Sequence, residues 1–324
     1  MSRIGKRVLL FCLLLFLLAS ACGGDARPSA APSASPIPKP VGTFDMKPVI
    51  RNFLANMPEA WGLAISQNVA KTKPFIVDVR QPDEYGKGFI GGAVNIPLRE
   101  LTRNLQALPG LDQEIVLVCN TGHRSALGMV ALQLLGYKKA KSLAGGMQMW
   151  QTAKLAVVTQ PVPKRPSGPS PNVDAKLLAA LDQYLTEGLP DGWGTISPAS
   201  LAEDQTRKST LETETQPETY DQGASFLIDV SEPDEFAKAT LPRAINIPFR
   251  ELPDNLEKLP ADKITLWFCG VPNEVQLERA DLKIVTICRD GHRGIIAMMT
   301  LQLLGFKDVR ALEGGLKAWN AAAK

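Results

Sequence analysis

The chain has 324 residues, 45% of them hydrophobic and 21% charged, which suits about two ordinary domains and excludes wholesale disorder. Its formal net charge of +3 comes from Arg3, Lys6 and Arg7 within residues 1–21, which hold no acid, so the remainder is balanced and lacks the basic surplus of a general nucleic-acid binder. Five cysteines are too few to staple a chain of this size as a disulfide scaffold.

Residues 1–21 combine a basic start, an apolar run from Val8 to Leu18 and a small-residue end. That run is shorter than the roughly 20 residues a membrane span needs, and the pattern predicts a secretory signal. Ala19-Ser20-Ala21-Cys22-Gly23 resembles a bacterial lipoprotein signal. It implies lipidation at Cys22 and a membrane anchor on the extracytoplasmic side, periplasmic or cell-surface. Cys12 falls in the removed segment. Residues 22–43 form a Pro/Ala/Ser-rich linker whose five prolines between residues 26 and 40 favour an extended stalk.

The rest is one unit written twice. Phe75-Ile76-Val77-Asp78-Val79 recurs as Phe226-Leu227-Ile228-Asp229-Val230, Pro82-Asp83-Glu84 as Pro233-Asp234-Glu235, and Asn95-Ile96-Pro97 as Asn246-Ile247-Pro248. Residues 119–151 match 288–320 without a gap, 15 of 33 being identical, which is too many for chance. A leading helix from Asp45 to Trp61-Gly62 is answered by one from Asp174 to Trp193-Gly194. The expected domains are therefore 44–155 and 173–324, joined by a Pro-rich spacer at 156–172. The second copy carries two insertions. A polar stretch around 198–222 is expected as surface loop, and a segment near 267–284 contains Cys269.

Within each copy, short apolar runs (75–79, 93–96, 115–118) predict buried strands. Helical patterns alternate with them at 98–107, 124–135 and 146–153, and again at 249–258, 293–304 and 315–323. This alternation predicts an α/β fold, each domain a mostly parallel sheet with helices on both faces. Gly136 and Gly305 follow Leu-Gln-Leu-Leu as helix stops.

The chemistry concentrates where a strand runs into Cys119-Asn120-Thr121-Gly122-His123-Arg124 and, in the second copy, into Cys288-Arg289-Asp290-Gly291-His292-Arg293. A cysteine at the carboxyl end of a parallel strand, followed by a helix, faces inward-pointing backbone N–H groups and the positive end of the helix dipole. Such surroundings, with Arg124 or Arg293 nearby, are expected to lower the thiol pKa. His123 and His292, the chain's two histidines, are expected to add positive potential. Gly122 and Gly291 allow the tight backbone path.

Together with Asp78-Val79-Arg80, Ala93-Val94-Asn95-Ile96-Pro97, Gly145-Gly146 with Trp150, and their counterparts through Gly314-Gly315 and Trp319, these loops resemble the rhodanese (sulfurtransferase) family across both copies. The resemblance implies tandem rhodanese-like domains in which Cys119 and Cys288 accept a sulfane sulfur as a persulfide. Each would pass it from a donor such as thiosulfate to a thiophilic acceptor such as cyanide or a thiol. No Cys or His spacing supports zinc and no phosphate-loop glycine motif points to a nucleotide, so no metal and no cofactor is expected. The Cys288 loop is nearer the family's common form, and Arg80 becomes Ser231 in the second copy.

A persulfide carrier or sulfur-sensing module is the alternative reading. Cysteine phosphatases need one more residue between Cys and Arg to seat a tetrahedral phosphate, and the shorter ring here suits a single sulfur atom. Asp78 and Asp229 are expected as anchors for backbone or Arg groups, Trp61 and Trp193 as packing residues, and Cys269 as an unpaired structural thiol.

Overall fold

Two five-stranded parallel sheets carry the molecule. The computed structural model describes residues 44–58, 60–160, 171–206, 224–259, 263–268, 271–276 and 282–322, the segments 263–268 and 271–276 as backbone alone. The expected signal, Cys22, the stalk, most of the proline spacer, the polar insertion beyond Thr206 and Cys269 lie outside the described residues. Among the described residues no helix is long and apolar enough to cross a membrane.

In the first half the strands are β1 (Leu63–Ala64), β2 (Phe75–Asp78), β4 (Val94–Asn95), β5 (Ile115–Val118) and β6 (Ala140–Leu143), in spatial order β1-β6-β5-β2-β4. A short antiparallel pair, β3 (Phe89–Ile90) with β7 (Val157–Val158), lies apart from this sheet. The second half repeats the order with β8 (Thr195–Ile196), β14 (Asp308–Leu312), β13 (Lys283–Ile287), β9 (Phe226–Asp229) and β10 (Ile245–Asn246). All sheet pairings within these two orders are parallel, as the continuous apolar strands demand. The insertion before β13 forms an antiparallel hairpin, β11 (Lys263–Phe268) with β12 (Val271–Gln276).

Strand alternation sorts side chains into separate cores. In β5, Ile115 and Leu117 point to one core while Val116 and Val118 point to another. The outer cores belong to one half each: Ile76, Val116, Leu143 and Trp150 in the first, and Leu227, Val285, Ile287 and Leu316 in the second. The inner core is shared. It joins Leu98, Leu101, Leu127 and Val130 to Phe249, Leu252, Ile295 and Met299.

The helices after the cysteine loops, α4 (His123–Leu134) and α9 (His292–Leu303), pack against each other in this shared core. Residues 124–132 and 293–301 are buried on every side, which explains helices apolar all round. Both end as expected at a left-handed glycine, Gly136 and Gly305. There Tyr137 and Phe306 donate back to the Leu132 and Leu301 carbonyls.

The leading helices cross over. α1 (Met46–Ala55), capped by Asp45, lies on the second half's 3-10 segment Phe249–Asp254 as well as on α4. Arg250 from that segment donates to the exposed carbonyls of Leu54, Ala55 and Met57 at the helix end. Reciprocally, α6 (Ala175–Gln183), capped by Asp174, lies on the first half's segment Leu98–Ala107. Arg99 donates to the carbonyls of Leu185, Thr186 and Leu189. Flanking ion pairs hold the two crossings with opposite polarity: Arg51 meets Asp254 in one, and Arg103 meets Asp182 in the other.

Two expectations need correction. The stretch beginning at 198 is not loop throughout, because Pro198–Thr206 is a helix with Leu201 buried. Ser197 caps it by accepting from Ser200 N–H. The patterns at 98–107 and 249–258 are 3-10 turns broken at Asn104 and Asn255. At each break the asparagine amide donates to the carbonyl four residues back, Glu100 and Glu251, and so competes with regular helix.

Candidate active site

β5 and β13 are the central strands of their sheets, and each cysteine follows directly at the carboxyl end. The chain then turns through Gly122 (φ 102°) or Gly291 (φ 87°), a left-handed conformation that a side chain would strain. These glycines are the N-caps of α4 and α9 and bring no side chain to the first-turn amides. The cysteine sulfur takes that role. Cys119 Sγ accepts from Gly122 N–H at 3.1 Å and Ser125 N–H at 3.4 Å. Cys288 Sγ accepts from Gly291 N–H at 3.2 Å and Gly294 N–H at 3.3 Å. Both cysteines are deeply buried, 1% and 0% exposed.

A second glycine pair closes each cradle. Gly145 (φ 65°) and Gly146 (φ 55°) bring the start of α5 (Gly146–Thr152) against the loop, so that Met147 and Gln148 donate to the Cys119 and Asn120 carbonyls. Gly314 and Gly315 do the same at α10 (Gly315–Ala322), with Leu316 and Lys317 donating to Cys288 and Arg289. A side chain at Gly146 or Gly315 would run into the cysteine's own carbonyl.

Around these shared backbones the side chains differ. In the first half Glu84 accepts from Arg124 at 2.5 and 2.7 Å and from Asn120 Nδ2 at 2.7 Å. The Arg124 bond is the main cause of a Glu84 pKa lowered to about 2. Ser125 Oγ lies 3.5 Å from Cys119 Sγ and 2.8 Å from Ser142 Oγ. Thr121 is half-buried, and no side-chain hydrogen bond joins it to a described residue. In the second half Glu235 pairs with Arg293 at 2.6 Å, which lowers its carboxyl pKa. Arg289 is largely exposed, 3.6 Å from Asp290 and 3.9 Å from Glu235. Asp290 Oδ1 stands 4.0 Å from Cys288 Sγ and accepts from His292 N–H at 3.4 Å.

The electrostatics overturn two expectations. The Cys288 thiol pKa is raised, not lowered. Burial is the largest cause and the Asp290 carboxylate the next, against the opposing pull of loop amides and Arg293. The histidines add no charge near neutral pH, because burial holds both His123 and His292 below the usual imidazole range. The charges of Arg124 and Arg293 are met by the glutamates.

Asp78 and Asp229 behave as the expected anchors. Asp78 accepts from Arg80 N, Nε and Nη2, and Asp229 from Ser231 N and the Thr240 hydroxyl. Cys288 is a free thiol. No cluster of three or more potential metal ligands occurs among the described residues.

Glu84 and Glu235 were missed as partners of the loop arginines, although the Pro-Asp-Glu repeat held the signal. Trp61 and Trp193 do pack, as expected, but each also stacks on a loop arginine of the opposite half.

A parallel α/β unit whose central strand delivers a thiol into a helix-capping loop is present here twice. The chain belongs to the rhodanese-like domain family, whose profile matches residues 63–153 and 212–322. It is 34% identical over 97 residues to YrkF of Bacillus subtilis, named for sulfur carriage, covering 30% of this chain and 52% of that protein. It thus spans about half the length of that relative. A sulfurtransferase of Allochromatium vinosum is 30% identical over 96 residues, 29% of this chain and 89% of its own. The human thiosulfate:glutathione sulfurtransferase is 34% identical over 97 residues, covering 30% and 80%.

Proposed function

We propose that the chain is a sulfurtransferase working through cysteine persulfides at Cys288 and Cys119. The observation that carries the reading is the sulfur seated as acceptor of two backbone N–H groups in each loop. With thiosulfate as donor, the thiolate attacks the outer sulfur, an S–S bond forms, and sulfite leaves with the electron pair of the broken S–S bond. Cyanide or a thiol then attacks the outer sulfur of the persulfide, takes it as thiocyanate or a new persulfide, and returns the thiolate. The loop amides and helix dipole hold the negative charge at each stage.

Cys288→Ser and Cys119→Ser, made singly and together, apportion turnover of thiosulfate with cyanide. The double variant is expected to lose at least about a thousandfold. Full turnover in that variant would falsify the assignment. Intact mass after thiosulfate exposure is expected to rise by about 32 Da per loaded cysteine.

A carrier with little turnover is the second reading, favoured by the near-complete burial of both thiols and by the likeness to YrkF. Stoichiometric loading without turnover would select it. The pattern from Ala19 to Gly23 supports a lipid anchor at Cys22 and an extracytoplasmic location. Cys22→Ser should then move the protein from the membrane to the soluble fraction, and an unchanged distribution would remove the anchor.

A further inference from the structure

The sulfur loops are not independent of each other's domains. The Trp61 ring, from the first half, stands 5.2 Å from the Arg293 guanidinium of the second half's loop. Arg250 lies 5.0 Å from the same ring, and Phe249 meets it edge-on at 5.2 Å. The Trp193 ring, from the second half, stands 5.3 Å from Arg124 of the first half's loop and 5.4 Å from Arg99.

Both tryptophans hold a left-handed backbone, φ 52° and 63°, which is costly for a bulky residue. Each precedes a glycine, Gly62 or Gly194, packed so tightly on Met129 or Met298 of its own half's loop helix that a side chain would collide. The strain therefore recurs in both copies, anchored on one half and directed at the other. His292 adds a second tie. Its Nε2 lies 2.8 Å from the Trp61 carbonyl, which can only accept, so the proton sits on Nε2. Among the described residues His123 makes no matching bond to Trp193.

We infer that Trp61 and Trp193 are reciprocal positioning residues, each holding the loop arginine of the opposite half against its glutamate, so that each sulfur site is completed by the other domain. Arg293 is held between the Glu235 carboxylate and the Trp61 ring, and Arg124 between Glu84 and Trp193. An aromatic face attracts a desolvated guanidinium without competing for its hydrogen bonds, and so fixes the arginine without neutralising it. Arg293 acts electrostatically on Cys288, and Arg124 holds the matching position in the other loop, five residues after Cys119. Loosening the ring therefore weakens the positive field at the sulfur across the domain boundary.

The inference deepens the sulfur-transfer reading, but its primary test does not depend on it. Trp61→Leu and Trp193→Leu are made in the full-length chain. Iodoacetamide labelling at Cys119 and Cys288 is then timed in the same molecules by peptide mass spectrometry, alongside sulfur loading from thiosulfate. Trp61→Leu is expected to slow labelling at Cys288 about fivefold while leaving Cys119 within about twofold, and Trp193→Leu to do the reverse. Phe variants, which keep a weaker aromatic face, should restore part of each rate.

Equal changes at both cysteines in the Leu and the Phe variants would overturn the inference, as would an effect confined to the tryptophan's own half or a faster rate at the opposite cysteine. A crossed labelling pattern in a chain that takes up no sulfur would leave the inference standing and remove the sulfur-transfer reading instead.

Discussion

The two halves build the same backbone cradle and furnish it differently. Around Cys119 the loop carries no carboxylate, and a buried hydroxyl pair, Ser125 and Ser142, lies beside the sulfur. Around Cys288 those two positions are Gly294 and Ala311, and Asp290 on the loop faces the thiol. Backbone donors are thus common property, whereas the side chains that surround each sulfur differ. The difference teaches that one duplicated scaffold can seat two thiols among unlike side chains without altering the hydrogen bonds that define the site.

The sharpest way to break the shared part is at the glycine pair that closes each cradle. In Gly315→Ala the new methyl would approach Gly291 N at 2.5 Å and Asp290 N at 2.8 Å, and Gly291 N is a donor to the sulfur. In Gly146→Ala it would meet the Asn120 carbonyl at 2.7 Å. Both sites are also left-handed, so each change should cost about 3 kcal/mol and disable only its own cysteine. Thermal melts and site-resolved labelling check this, and an undisturbed loop in either variant would refute the closing role.

A smaller effect is expected at the loop arginine's partner. Glu84 serves both Arg124 and Asn120, whereas Glu235 serves Arg293 closely and Arg289 only at 3.9 Å. Glu84→Gln should therefore destabilise more than Glu235→Gln, by about 2 kcal/mol near neutral pH. The Glu84 pKa lies at about 2, below its ordinary 4.5. Its contribution is thus complete above pH 4.5 and is lost as pH falls toward 2. Stability of the Gln variant should be flatter across that window, as denaturant titrations at several pH values would show.

Much of this was legible in the sequence because it is local. Strand, cysteine, glycine and helix start follow one another within a few residues, and duplication marks which of them recur. The illegible part lies in contacts between distant residues. Glu84 reaches Arg124 forty positions away, and Arg250 caps a helix end nearly two hundred positions earlier. For Cys288 the expected lowering of the thiol pKa failed for a related reason. Donors can be counted along a loop, but complete burial and the direction of the Asp290 carboxylate emerge only from packing. The Trp-Gly pairs were visible in both copies, yet nothing in their spacing indicates that each faces the other half.

The finest distinction between the sites rests on one loop position, Asp290 in the second half and Thr121 in the first. The Asp290 carboxylate raises the Cys288 thiol pKa, second only to burial, while Arg293 and the loop amides act against it. Asp290→Asn removes the charge and keeps a similar shape, so the Cys288 pKa should fall and its thiolate fraction at neutral pH should rise. Labelling at Cys288 should then speed up several-fold, with its pH profile displaced to lower pH, because the thiolate is the nucleophile. Thr121→Asp supplies the missing carboxylate beside Cys119 and should slow labelling there. If the two exchanges moved the rates in the same direction, local charge could not be what separates the two sulfurs. The Ser125–Ser142 pair would then be the next difference to test, and Ser125→Gly removes it without touching a charge.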